Sequence, residues 1–121
     1  MWMLSGVQIH MAVEPVDGRK GIPGLMGLVN SVLRADPYGG HAFVFVGRRQ
    51  DLVKVLLFSR GGFVLLLKRL ERGRFPVPKV SAEATHIPLS SVQLSMLLDG
   101  MALAPQPTHW EPKRIDKVPK V

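Results

Sequence analysis

Three apolar runs in quick succession constrain this chain more than any other feature. Residues 42–46 (AFVFV), 52–58 (LVKVLLF) and 63–67 (FVLLL) are separated only by the short polar breaks 47–51 and 59–62. Runs of this length, rich in Val, Leu and Phe and punctuated by Gly and charge, predict consecutive strands of an antiparallel meander. In the second run Lys54 interrupts the face that carries Leu52, Leu56 and Phe58, while Val53, Val55 and Leu57 are unbroken. The third run divides into Phe63, Leu65 and Leu67 on one face and Val64 and Leu66 on the other. Both faces of the meander are thus largely apolar, and each requires a cover: a helix, a partner subunit or a ligand.

The flanking segments supply two helices and one more strand. Residues 7–13 (VQIHMAV) alternate, with Val7, Ile9, Met11 and Val13 on one face, and Glu14-Pro15 ends the strand. After the polar turn 16–21, apolar side chains at Ile22, Leu25, Met26, Val29, Val32 and Leu33 follow helical spacing, so an amphipathic helix is predicted over 22–33. Pro23 suits its first turn, and Asp36-Pro37 closes it. A second helix is predicted over 89–100: Ser90 and Gln93 have the spacing of a capping box, Leu89 and Leu94 that of a hydrophobic staple, and Gly100 is the stop. Residues 75–88 are Pro-rich and read as a flexible loop. The expected architecture is one α+β domain over residues 1–103. It has a small antiparallel sheet in β-α-β-β-β-α order, containing the three-strand meander, with two packed helices. Residues 104–121, with four prolines and alternating charge, are expected to form a disordered tail.

The net charge of +7 is confined to the meander and its exit. Between residues 48 and 79 there are nine basic side chains (Arg48, Arg49, Lys54, Arg60, Lys68, Arg69, Arg72, Arg74 and Lys79) against Asp51 and Glu71. The remainder of the chain balances to zero. Concentrated positive charge is the footprint of a polyanion binder; the alternative reading is an ordinary solvated surface kept soluble by Lys and Arg. The chain has no cysteine, which excludes disulfides and thiolate metal sites and fits a reducing compartment. It shows neither a membrane-spanning run nor a secretory signal, so the expectation is a soluble cytoplasmic protein.

Catalysis is not expected. A two-metal nuclease site needs several carboxylates converging from the core of a sheet, and the predicted strands contain none. His10, His41, His86 and His109 are far apart in sequence without ligand spacing, and each reads as a surface or strand-end histidine. No metal and no cofactor are therefore expected. Gly18-Arg19-Lys20-Gly21 lacks the spacing of a phosphate loop. Arg72-Gly73-Arg74 has the form of a minor-groove Arg-Gly-Arg core, but without the flanking prolines and repetition of such hooks; a glycine turn with solvated arginines explains it as well.

The basic groups are the candidate site. Arg presents a planar fork suited to phosphates. In an up-down-up meander the Arg48-Arg49 turn and the exit carrying Lys68, Arg69, Arg72 and Arg74 lie at the same end, while Arg60 lies at the other. Two separate runs thereby become one patch. Arg19 and Lys20 are secondary candidates.

The same residues carry a family resemblance. Val16-Asp17-Gly18-Arg19-Lys20-Gly21-Ile22, Asp36-Pro37-Tyr38-Gly39-Gly40-His41-Ala42-Phe43-Val44-Phe45 and Lys68-Arg69-Leu70-Glu71-Arg72-Gly73-Arg74-Phe75 resemble, in order, the TnpB accessory protein of the insertion-sequence-66 (IS66) family. The leucine-rich 89–100 segment fits that family's closing segment. Gly18, Pro23 and Lys68 depart from its usual pattern. The resemblance implies a small bacterial protein encoded beside a transposase and required for efficient transposition, with the catalytic carboxylates on a separate protein. The expected function is a non-catalytic accessory role in transposition, with DNA at the element ends and the transposase as partners and homo-oligomerisation left open. The alternative is a module that docks on the transposase without touching DNA, through apolar surface represented by Leu56, Phe58, Val64 and Leu66.

Overall fold

A computed structural model describes residues 4–80 and 83–103. The tail expected over 104–121 lies outside the described residues. The elements are β1 (Ile9–Ala12), α1 (Ile22–Ser31), β2 (Ala42–Val46), β3 (Leu52–Ser59), β4 (Gly62–Arg69), β5 (His86–Leu89) and α2 (Ser91–Leu98). They form a five-stranded sheet in the order β4-β3-β2-β1-β5 with two helices. The α+β class, the meander and both helices are those expected from the sequence.

Two details correct the expectation. The sheet is mixed, because β1 pairs parallel to β2, with Ile9 opposite Ala42 and Met11 opposite Val44. Helix α1 is the crossover that parallel neighbours need. In addition, the segment read as a flexible loop contains β5, which pairs antiparallel to β1 with Ile87 opposite Met11 and His86 opposite Ala12. Its signal is short: only Ile87 and Leu89 are buried, and Pro88 stands between them. A proline is tolerated here because β5 is an edge strand.

Both sheet faces are covered. On one, Leu25 and Val29 of α1, with Leu33 beyond its end, pack against Phe43, Phe45 and Leu56. On the other, Leu94 and Leu97 of α2, together with Leu4 and Phe75, close over Ile9, Met11, Val44, Val53, Val55 and Leu57. The capping box of α2 is formed: Gln93 N donates to Ser90 Oγ at 3.0 Å, and Ser90 N donates to Gln93 Oε1 at 2.9 Å. The β3–β4 hairpin turns on Arg60 (φ 51) and Gly61 (φ 84), the left-handed pair that matches strand twist in a two-residue turn. Cover thins toward β4, where Leu67 is 55% exposed. Among the described residues no helix is long and apolar enough to cross a membrane.

Candidate nucleic-acid interface

Strand register places the two arginine runs together. Leu52, at the start of β3, lies opposite Arg69, at the end of β4. The β2–β3 turn is closed by Gly47 N to Leu52 O (2.9 Å) and Gln50 N to Gly47 O (2.8 Å). This presents Arg48 and Arg49 to solvent. The chain leaving β4 then folds back onto that turn. Leu70 N donates to Asp51 O at 2.8 Å, and Phe75 N donates to Gln50 O at 2.6 Å. Gly73, at φ 82, supplies the left-handed residue within this loop. Arg72 and Arg74 are exposed on either side of Gly73, while the Phe75 ring is buried in the α2-side core. Phe75, with Leu70 packed against the same core, thus anchors the arginine loop.

A third segment joins the first two. Val16 forms a parallel bridge with Gly47, its amide donating to Val46 O at 2.9 Å. The following residues, Asp17-Gly18-Arg19, therefore lie beside the Arg48-Arg49 turn. Lys54 explains its own place on an otherwise apolar face here. It is buried, and its Nζ donates to the carbonyls of Gly18 at 2.8 Å and Lys20 at 2.6 Å, fastening the loop to the sheet. The approach is close, since a Cβ on Gly18 would meet Leu52 Cδ2 at 2.8 Å. Between these segments runs a groove of about 360 Å³ lined by Asp17, Arg19, Arg48, Arg49, Asp51 and Arg69, among others.

The groove's charges are partly matched. Arg19 grips Asp17 through two guanidinium contacts, Nε to Oδ1 at 3.1 Å and Nη2 to Oδ2 at 2.9 Å. Those hydrogen bonds hold the Asp17 carboxyl well below the ordinary carboxylate range, with Arg48 adding to the pull, and they raise Arg19 in turn. Asp51 makes a looser pair with Arg69 at 3.7 Å. Cations still outnumber carboxylates along the groove, with Arg19, Arg48, Arg49 and Arg69 against Asp17 and Asp51. A larger depression of about 610 Å³ lies beside the end of α1, lined by Met26, Asn30, Arg34, Asp36 and Tyr38 among others. Its charges are one Arg and one Asp, with no convergence of cations.

The remaining candidates are placed as follows. Lys68 stands opposite Val53 on the α2 face, and its Nζ donates to the Leu98 carbonyl at the end of α2. It is engaged in helix capping on the face opposite Arg69. Lys20 is half-buried against Gly24 of α1 and does not line the groove. Arg60 sits in the far hairpin turn, roughly 24 Å from the patch along β3. Of the four residues representing free apolar surface, Leu56 is buried beneath α1, whereas Phe58, Val64 and Leu66 are partly buried.

The structure also gathers three histidines that sequence spacing had kept apart. Pairing of β1 with both β2 and β5 brings His41 and His86 to either side of His10. His10 Nε2 and His41 Nδ1 are 2.9 Å apart, so one ring donates and the other accepts. The His10 ring stacks on His41 and meets His86 edge-on, both at a centroid distance of 5.1 Å. Burial lowers the pKa of His10, which His86 and His41 lower further, and burial also lowers that of His86. Among the described residues no group of three or more His, Asp or Glu is arranged to hold a metal ion. No spacing rule in the sequence could have found this cluster, because it depends on a parallel pairing and on β5.

The sequence profile of the IS66 Orf2 like protein family matches residues 7–107, which include every element of the fold and the whole groove. The chain belongs to the IS66 Orf2-like family. Members of this family are accessory to IS66 elements in transposition. The chain is 41% identical over 96 residues to "Uncharacterized protein y4jC" of Sinorhizobium fredii, covering 79% of this chain and 80% of that protein. It is 39% identical over 111 residues to "Uncharacterized protein y4hO" of the same organism, covering 92% and 95% respectively. No solved structure matches it.

Proposed function

We propose that this IS66 Orf2-like protein is a non-catalytic DNA-contacting subunit of the transposition machinery. The observation that carries the proposal is the convergence of Arg48, Arg49, Arg69, Arg72 and Arg74, with Arg19, at one end of the sheet from three separate segments of the chain. Guanidinium groups on tied-down loops can take successive backbone phosphates without reading base edges, which suits contact with element ends or with DNA held by the transposase. The substrate chemistry stays with the transposase, and this chain contributes position and charge.

Affinity for linear DNA measured against salt tests the reading. Five to six neutralised phosphates predict a slope of log affinity against log salt of about −4.5 to −5.4. Binding that is absent or insensitive to salt would sink the proposal and favour the docking alternative. In that case co-purification with the transposase would survive both nuclease treatment and removal of the arginines.

A further inference from the structure

The two edges of the sheet are built differently. The β5 edge is four residues long and contains Pro88, which has no amide to offer a neighbour. The β4 edge is eight residues long, has no proline, and pairs with β3 in unbroken register from Arg69 to Gly62. Its outer side has no neighbour among the described strands. The run 63–67 (FVLLL) occupies its centre, and Leu67 is 55% exposed. A long edge strand with unbroken register and an apolar centre is a template for another strand.

We propose that the strand it takes is β4 of a second copy, paired antiparallel about a two-fold axis at Leu65. Leu65 is the midpoint of the apolar run. About that axis Phe63 faces Leu67 of the second copy, Val64 faces Leu66, and Leu65 faces its own counterpart. Each pair then shares a sheet face, as antiparallel partners must. Lys68 falls opposite Gly62, and Arg69 runs past the end of the second strand beside its Arg60-Gly61 turn, so within the paired strands no cation opposes a cation. Sliding the register to a centre at Leu66 sets Lys68 against Val64 and Arg69 against Phe63, losing apolar pairs. Parallel pairing would bring both copies' Lys68 and Arg69 together. Pro88 disfavours addition at the other edge, so the contact closes as a dimer instead of propagating. The two Arg69 positions would stand about 27 Å apart along the strand axis, giving two arginine patches on one continuous sheet.

Sedimentation of the full chain without DNA tests this separately from DNA binding. A dimer is expected at micromolar concentration, and Leu67→Lys, a change at an exposed position, should weaken it by about tenfold or more in Kd while leaving the melting temperature unchanged at dilutions where both proteins are monomeric. Because the chain has no cysteine, single replacements report register cleanly. Under mild oxidation Leu65→Cys should give a covalent dimer. Leu67→Cys, about 14 Å from its counterpart, should not. A monomer throughout the micromolar range, a dimer indifferent to Leu67→Lys, or equal cross-linking at the two positions would overturn the proposal. Occupation of the edge by residues 104–121 or by a transposase strand would give the first of these results.

Discussion

The amide of Phe75 donates to the carbonyl of Gln50 across 2.6 Å, joining the loop that leaves β4 to the turn between β2 and β3. The Phe75 side chain is 2% exposed, inside the core beneath α2. Display of Arg72 and Arg74 beside Arg48 and Arg49 is therefore held by hydrophobic burial, although the display itself is electrostatic. Charge alone would drive these loops apart. The backbone bonds and the buried ring oppose that repulsion.

Phe75→Ala is expected to cost about 3–5 kcal/mol of stability, since it removes a large buried ring and leaves a cavity. Urea unfolding monitored by circular dichroism would show it. DNA affinity should fall even where the variant remains folded, and Phe75→Leu should recover most of both properties. Unchanged stability in Phe75→Ala would contradict the anchoring role.

Single replacements divide the basic residues into two classes. Arg48→Ala and Arg74→Ala should each lower the magnitude of the salt slope for DNA binding by about 0.9, the loss of one phosphate contact. Lys68→Ala should leave the slope unchanged, because its ammonium caps α2 on the other face. Equal effects at all three positions would indicate a diffuse field in place of a patch.

Lys54→Met keeps the buried volume but removes the donor to the Gly18 and Lys20 carbonyls. Leaving these acceptors without their partner predicts a loss of about 1–3 kcal/mol. The loop that carries Arg19 should also become more labile to amide exchange, which mass spectrometry of exchanged peptides would detect. Wild-type exchange in residues 16–21 would argue that the lysine merely fills space.

The histidine cluster predicts acid sensitivity with a definite sign. His10 and His86 have folded pKa values below their ordinary 6.5, so the unfolded chain takes up protons first as the pH falls. Stability should be constant above that value and decline below it, until the folded state protonates too. Urea midpoints measured from neutral pH downward would follow the decline, and His10→Gln should flatten it. A midpoint that rises on acidification through this window would reverse the assignment.

Sequence pattern was sufficient wherever a signal was local. The capping box at Ser90 and Gln93, the 3.6-residue spacing of α1 and the three apolar runs each depend on neighbours within a few positions, and each appears as expected. The meander also gave the common end of the two arginine runs, because alternation of direction follows from short turns alone. By contrast, β5 offers two apolar side chains around a proline. Its stability comes from pairing with β1, about seventy-five residues earlier in the chain. Arg19 is placed by the Val16–Gly47 bridge, and Lys68 is withdrawn by the end of α2; neither neighbour is adjacent in sequence.

The chain's own order of residues determined its class, its helices, its central strands and the segment that holds its entire net charge. Those properties follow from periodicity, capping and chain direction, which act over a few residues. Tertiary structure alone decided that Arg19 joins the groove and Lys68 leaves it, why one lysine is buried, and that three distant histidines touch. Such groupings depend on which strands become neighbours, and that is settled by burying both faces of one sheet at once.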